Sequence, residues 1–388
     1  MGKSVQEITD SVSLIASKDT WIEGLAIEQL VKTSELEDMS RVAGMPDLHP
    51  GRGYPIGAAF FTTNKIYPAL VGNDIGCGMS LWQSTAKVSK VNVDKIAKKL
   101  RDIECPLDDS WADLIEQRKI EKGIQAQGFD AAFGTIGGGN HFAEFQAIET
   151  VYCDDHLARL NIDPKKLLLL VHSGSRGLGQ SILTEHISNF NHDGLNEDDS
   201  SFSEYLKAHD DAVKWAELNR ELIALRFLDA IRENGDCLLD VNHNLVTEKE
   251  IAGRKGWLHR KGATPADQGY VVIPGSRGDY SYLVTAADQA KENLENCLYS
   301  LAHGAGRKWK RGDCQARLSH KFKKDDLLKT ALGSRVICGN KELLYDEAPQ
   351  AYKNCETIID DLVDAGLVKV IARVRPVLTF KTNGSCGA

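Results

Sequence analysis

Leu167-Leu168-Leu169-Leu170-Val171-His172-Ser173-Gly174-Ser175-Arg176-Gly177 is a strongly apolar run that ends in a histidine and then breaks into small and polar residues. Such a run reads as a strand whose end is a glycine-rich loop. The order recurs at Tyr270-Val271-Val272-Ile273-Pro274-Gly275-Ser276-Arg277-Gly278. Glycine clusters again at residues 44–57, 72–78 and 134–139. A site assembled from many loops on a rigid scaffold is the architecture this pattern implies. Helical periodicity is read over 91–101, 211–234, 286–301 and 357–365. Residues 368–380 read as one strand, or two split by Pro376, and the polar 191–204 reads as an exposed loop. The mixed order of elements predicts an α+β fold, not a regular βαβ repeat. No internal repeat or long linker interrupts the chain, and the motifs run from residue 45 to 381. One domain, residues 1–388, is therefore expected around one site.

The 388 residues are 42% hydrophobic and 26% charged, with a net charge of −8. No apolar run approaches the roughly 20 residues of a membrane span. The N-terminus lacks the apolar core of a secretory signal, so a soluble, cytoplasmic protein without a membrane partner is expected. Nine cysteines, an odd number with no CxxC pair, argue against a disulfide framework. Acidity excludes a globally basic nucleic-acid binder, yet Arg307-Lys308-Trp309-Lys310-Arg311 and His259-Arg260-Lys261 are local basic knots.

The chemistry sits in the loops. Asp74 and Cys77 put a carboxylate and a thiol three residues apart, a donor pair for a divalent transition ion. His141, after three glycines and Asn140, offers a further ligand, with Asn140 and Glu144 placed to serve a nucleotide. His172 and His243 add imidazoles at a strand end and in an asparagine-rich turn. Ser276 and Ser281 are free to meet a base or a phosphate. His303, read as the end of the 286–301 helix, lies in Ala302-His303-Gly304-Ala305-Gly306-Arg307. A neutral imidazole there can attack phosphorus and form a phosphoramidate, with Arg307 neutralising charge. Each motif alone is also compatible with an ordinary turn. Together they point to a two-ion site with a nucleophilic histidine, in an enzyme acting on phosphate esters.

These residues resemble the RtcB family of RNA-splicing ligases. The likeness runs from Met45-Pro46-Asp47-Leu48-His49-Pro50-Gly51 through Asp74-Ile75-Gly76-Cys77-Gly78, Gly139-Asn140-His141-Phe142 and His172-Ser173-Gly174-Ser175-Arg176-Gly177. It continues in His303-Gly304-Ala305-Gly306-Arg307, Arg375-Pro376 and Lys381. The resemblance implies mixed β-sheets or a β-sandwich core flanked by helices. It implies a GTP- and manganese-dependent ligase, with two Mn²⁺ ions. The substrates would be RNA ending in a 2′,3′-cyclic phosphate or 3′-phosphate and RNA with a 5′-hydroxyl. By resemblance Asp74, Cys77, His141, His172 and His243 hold metal, and His303 becomes guanylylated. Asn140, Phe142, Glu144, Asn244, Pro274, Ser276, Ser281, Ala305, Tyr352 and Lys381 match positions that hold the guanosine nucleotide. Thiolate and imidazoles intrinsically favour Zn²⁺ over Mn²⁺, so zinc is expected to compete.

The chain departs from the family pattern in four places, one of them its continuation past Lys381 as residues 382–388. Lys308 and Lys310 stand where the family usually has an apolar residue and a serine. Arg277 stands where methionine is common, and the segment between Cys77 and His141 is short. These departures look like a divergent bacterial paralogue, of the type associated with a release-factor homologue in repairing cleaved ribosomal RNA. Two other readings use the same residues: a metal phosphoesterase that opens cyclic phosphates without ligating, and a non-catalytic RNA-binding paralogue.

Overall fold

In the computed structural model, which describes residues 4–382 except 102, 104, 126–127 and 289–290, Lys166–Ser173 is a central strand. It lies between Gly78–Lys87 and Phe142–Val151 and is antiparallel to both. Its alternate residues feed two cores. Leu167, Leu169 and Val171 pack with Ile223, Ala224 and Phe227 of the helix Ser200–Ile231, while Leu168 and Leu170 pack with Leu81, Val272, Leu283 and Ile371. A strand covered on both faces reads as a continuous apolar run, which explains the unbroken 167–171 segment. Each buried leucine contributes roughly 1.5–3 kcal/mol. The period of two then carries His172 to the face of Leu168 and Leu170, and Ser173 to the helix side.

The eight-stranded sheet runs Gly235–Asn242, Gly78–Lys87, Lys166–Ser173, Phe142–Val151, Val368–Phe380, Ser281–Ala286 and Tyr270–Ile273, with Arg335–Ile337 beside Val368–Phe380. It curls far enough for Val272 and Leu283 to share a core with Leu168 and Leu170, approaching a barrel. A six-stranded sheet runs Val5–Thr9, Val12–Ile15, Met39–His49, Ile56–Thr62, Arg254–Lys261 and Asn244–Ile251. The helix Gly24–Thr33 covers one of its faces through Ala26 and Leu30. Both sheets are mainly antiparallel, with parallel pairs at Val12↔Val42 and Arg335↔Leu378. The architecture is α+β, as the element order implies.

The long helix holds buried residues at 202, 205, 209, 212, 216, 219, 223 and 227, a three-four spacing that keeps one stripe inward. It begins at Ser200, so part of the expected 191–204 loop is helical. The expected helices over 91–101 and 357–365 are Val93–Lys99 and Cys355–Asp364. The 286–301 pattern is a correction. Its described part holds a short helix, Lys291–Asn296, and the strand Ser300–Ala302, so His303 follows a strand and not a helix. The strand wins because Ala302, Leu301 and Ser300 pair with Ala263–Pro265 inside the core. Val368–Phe380 is one strand through Pro376, and its register against Phe142–Val151 shifts between Pro376, opposite Gln146, and Leu378, opposite Phe145. Seven described cysteines are free thiols, but Cys105 is disulfide-bonded, against the expectation; Cys386 lies outside the described residues. Among the described residues no helix is long and apolar enough to cross a membrane.

Candidate active site

Antiparallel order brings the glycine-rich loops to one end of the eight-stranded sheet. Neighbouring strands meet at Asn242↔Gly78, Gly78↔Ser173 and Phe142↔His172, so His243, Cys77, His172 and His141 emerge side by side. Further along the same end, Phe380 pairs with Ala143, Ser281 with Val374 and Ile273 with Tyr282. Lys381, Ser281 and Pro274 therefore join the same rim. The result is a cavity of about 990 Å³ lined by every candidate site residue named above except Ser281. Ser281 sits one layer back, where its hydroxyl accepts hydrogen bonds from Gln146 Nε2 (3.1 Å) and the Gly275 amide (3.4 Å).

Two ligand triplets share one atom. Cys77, His172 and His243 form one group and Asp74, Cys77 and His141 the other, with the donor atoms of each within 4.8 Å of one another. Cys77 Sγ lies 3.4 Å from His141 Nε2 and 3.2 Å from His172 Nε2, and Asp74 Oδ2 is 2.8 Å from His141 Nε2. The Nδ1 of His141 is 3.1 Å from the Ile136 carbonyl; donation to that oxygen leaves Nε2 as a lone pair facing the cavity. Burial pushes His172 and His243 well below the usual imidazole range, so both stay neutral. His243 Nδ1 is buried with no hydrogen-bond partner. Burial, and then Asp74, pushes the Cys77 thiol well up; a divalent cation is what would make it a thiolate. Neutral imidazoles, a carboxylate and a thiol converging this way fit a site for a divalent transition ion. Gly174 completes the fit, because a Cβ there would lie 2.1 Å from Asp74 Oδ1.

His303 faces the candidate metal-ligand cluster from the end of Ser300–Ala302, which pairs with Ala263–Pro265, and its ring centre is 5.0 Å from that of His243. Asp47, fully buried in Met39–His49, places Oδ2 2.7 Å from His303 Nδ1 and accepts the His303 backbone N–H at 3.1 Å. The 2.7 Å contact is electrostatic, short of hydrogen-bond geometry, and a carboxylate this close favours the tautomer with the proton on Nδ1, which leaves Nε2 nucleophilic. Asp47 is held in turn by its neighbours, since Lys353 Nζ donates to the Pro46 and Leu48 carbonyls at 2.9 Å each. Gly262, at φ +61°, passes close to the imidazole; a Cβ there would lie 2.8 Å from His303 Cε1.

The far end of the cavity is a charged knot. Glu347 accepts from Arg307 Nη1 (3.1 Å), Arg311 Nε (3.2 Å) and the Tyr352 hydroxyl, with Lys381 Nζ at 3.5 Å. Burial alone would raise Glu347, but Lys381, Arg311 and Arg307 together hold it at about 2. Arg307 also donates to Tyr352 Oη (3.0 Å) and to the Trp309 and Asp346 carbonyls. Its guanidinium is thus occupied by the protein and braces the wall. Glu144 is pushed by burial up to about 7, against hydrogen bonds from Thr379 and Gln146. Lys381 donates to the Gly139 carbonyl at 3.0 Å. Asn244 Nδ2 donates to the Asp74 carbonyl and its Oδ1 accepts the Gly262 amide.

Sequence reasoning missed Arg220, the only arginine on the buried stripe of the long helix. It is fully buried and donates from Nη1 to the Gly76 (2.7 Å) and Ser173 (3.0 Å) carbonyls, and from Nη2 to Asn242 Oδ1 (2.6 Å). Each of those residues adjoins a ligand: Cys77, His172 and His243. One guanidinium therefore sets the spacing of three ligand loops, with Asp240 as its counter-ion at 2.6 Å. Arg220→Met is expected to weaken divalent-metal binding about 10–100-fold, the range for residues one layer behind ligands. Titration of the metal-free protein with Co²⁺, read by absorbance, checks this; unchanged affinity in a folded variant contradicts it.

The comparisons with known proteins agree with this geometry. The family model described as tRNA-splicing ligase RtcB matches residues 29–126 and 108–382. RNA-splicing ligase RtcB2 of Escherichia coli is 51% identical over 384 residues, covering 99% of each chain. The tRNA-splicing ligases RtcB of Archaeoglobus fulgidus and Nanoarchaeum equitans are 28% and 27% identical, covering 91% and 87% of this chain and 90% and 87% of theirs. With the family model spanning most of the chain and a full-length relative at this identity, the protein belongs to the RtcB family and is an RNA ligase.

Proposed function

We propose that residues 1–388 form one GTP- and Mn²⁺-dependent ligase domain. Its substrates are RNA ending in a 2′,3′-cyclic phosphate or 3′-phosphate and RNA with a 5′-hydroxyl. The observation that carries the reading is the juxtaposition of His303, oriented by Asp47, with two ligand triplets that share Cys77. Asp74, Cys77, His141, His172 and His243 would hold the ions, which supply Lewis-acid stabilisation of phosphate charge. His303 Nε2 attacks the α-phosphorus of GTP; the new N–P bond forms as the bond to pyrophosphate breaks. The nucleotide then passes to the RNA 3′-phosphate, freeing His303, and the 5′-hydroxyl displaces GMP to leave a phosphodiester. Asp47 keeps the Nδ1 proton in place throughout.

Asn140, Phe142, Glu144, Pro274, Ser276, Ala305 and Lys381 line the cavity where the nucleotide would lie. Asn244 serves by holding the Asp74 loop, and Ser281 by holding Gly275 and Gln146. Arg307 and Tyr352 act through Glu347, shaping the wall that the nucleotide meets. The setting we favour is repair of cleaved RNA in the cytoplasm, with ribosomal RNA and a release-factor homologue as partners. Two RNAs with those ends, incubated with protein, GTP and Mn²⁺, are expected to give a joined product that needs both additions. Opening of the cyclic phosphate without joining would replace the ligase by a metal phosphoesterase.

A further inference from the structure

Residues 307–324 carry eight Lys or Arg against one Asp, on a chain whose net charge is −8. The segment leaves the cavity, where Lys308, Lys310 and Arg311 line the mouth. It continues through the helix Arg311–Leu318 and the turn that follows. Cys314 and Leu318 anchor that helix, Leu318 in a small core with Leu327, Leu344 and Tyr345. The opposite face is therefore turned outward. Lys308, Lys310, Arg317, Lys321, Lys323 and Lys324 are exposed, and among the described residues none of them is in an ion pair. Arg317 is held with its guanidinium 5.2 Å over the Trp309 ring, and the run ends where Asp325 and Asp326 begin. Lys324 then borders a second cavity, about 720 Å³, whose wall also carries Lys98, Arg101 and Arg335, the last paired with Asp94 on the same wall.

Six such cations in sequence, on an acidic body, repel one another unless an anion covers them. We infer that this strip is an extended RNA track: it binds the phosphates of the strand whose end lies in the active-site cavity, several nucleotides away from the reacting end. The inference rests on the RNA-ligase reading of the cavity. RNA fits better than an acidic protein because the strip begins at the cavity mouth, where a strand entering the site must emerge. The helix Arg311–Leu318 is about 12 Å long, and the turn after it carries the strip on to Lys324.

The test uses Arg317, Lys321, Lys323 and Lys324, replaced together by Gln; none of the four lines the active-site cavity. Binding of fluorescent 3′-phosphorylated RNAs of three and twelve nucleotides is measured by anisotropy across a salt series. For the twelve-mer, the variant is expected to lose affinity at low salt by tenfold or more. Its log–log salt slope should fall by about 0.7 for each phosphate that is no longer neutralised. The three-mer and the labelling of His303 by GTP should be unchanged. An unaltered twelve-mer slope in a variant that still labels overturns the track and leaves the strip to a protein partner. Absence of labelling in the wild type as well would instead overturn the ligase reading, and the track with it.

Discussion

Cys77→Ala is expected to empty the metal site and abolish ligation. Cys77 is the one side chain common to both ligand triplets, within 3.4 Å of His141 Nε2 and 3.2 Å of His172 Nε2. Its loss leaves His172 with His243 and Asp74 with His141, two donors each. Outer partners alone are worth about 10–100-fold in metal affinity, so removing a shared ligand should exceed about a hundredfold. Co²⁺ titration gives a direct reading, because the wild type should show sulfur-to-metal charge transfer and the variant none. Retention of two tightly bound ions by the variant would show that the thiol does not bridge them.

Asp47→Asn is expected to spare metal binding and still cut guanylyl transfer by about 10³–10⁴-fold. The magnitude follows from the cost of replacing the carboxylate that fixes a catalytic histidine's tautomer. The amide can present its N–H to His303 Nδ1, favour the proton on Nε2, and so remove the lone pair that attacks phosphorus. The side chain is fully buried with Oδ1 close against Gly57, so the near-isosteric amide should fit. Measuring the single-turnover labelling rate alongside metal content separates the two roles. A normal rate would assign Asp47 to folding alone.

Much of this site is legible from residue order. The apolar 167–171 run with His172 at its end and the strand 270–273 need only the rule that a strand ending in glycines carries a polar residue into a loop. The 286–301 segment shows the limit: Leu294, Cys297, Leu298 and Leu301 satisfy helical spacing, but pairing of Ser300–Ala302 with Ala263–Pro265 in the core prevails locally. Arg307 reads as a cation that neutralises phosphate charge because it adjoins His303. Its actual partners, Glu347 and Tyr352, lie 40 and 45 residues away, and nothing in the local sequence points to them. Asp47 does carry a signal, as a lone carboxylate within the apolar Ala43-Gly44-Met45-Pro46-Asp47-Leu48. Arg220 carries one too, as a cation on the inward stripe of an amphipathic helix. Each needs the second sheet or the folded loops before its role has a physical cause.

The central claim is that His303 Nε2 takes up the nucleotide. The measurement is incubation of the purified protein with Mn²⁺ and GTP labelled at the α-phosphorus, then denaturing electrophoresis and peptide mapping, beside His303→Ala. The account predicts acid-labile GMP on the peptide containing His303 in the wild type and none in the variant. Wild-type protein that binds Mn²⁺ yet takes up no label, or label that survives in His303→Ala, would contradict it.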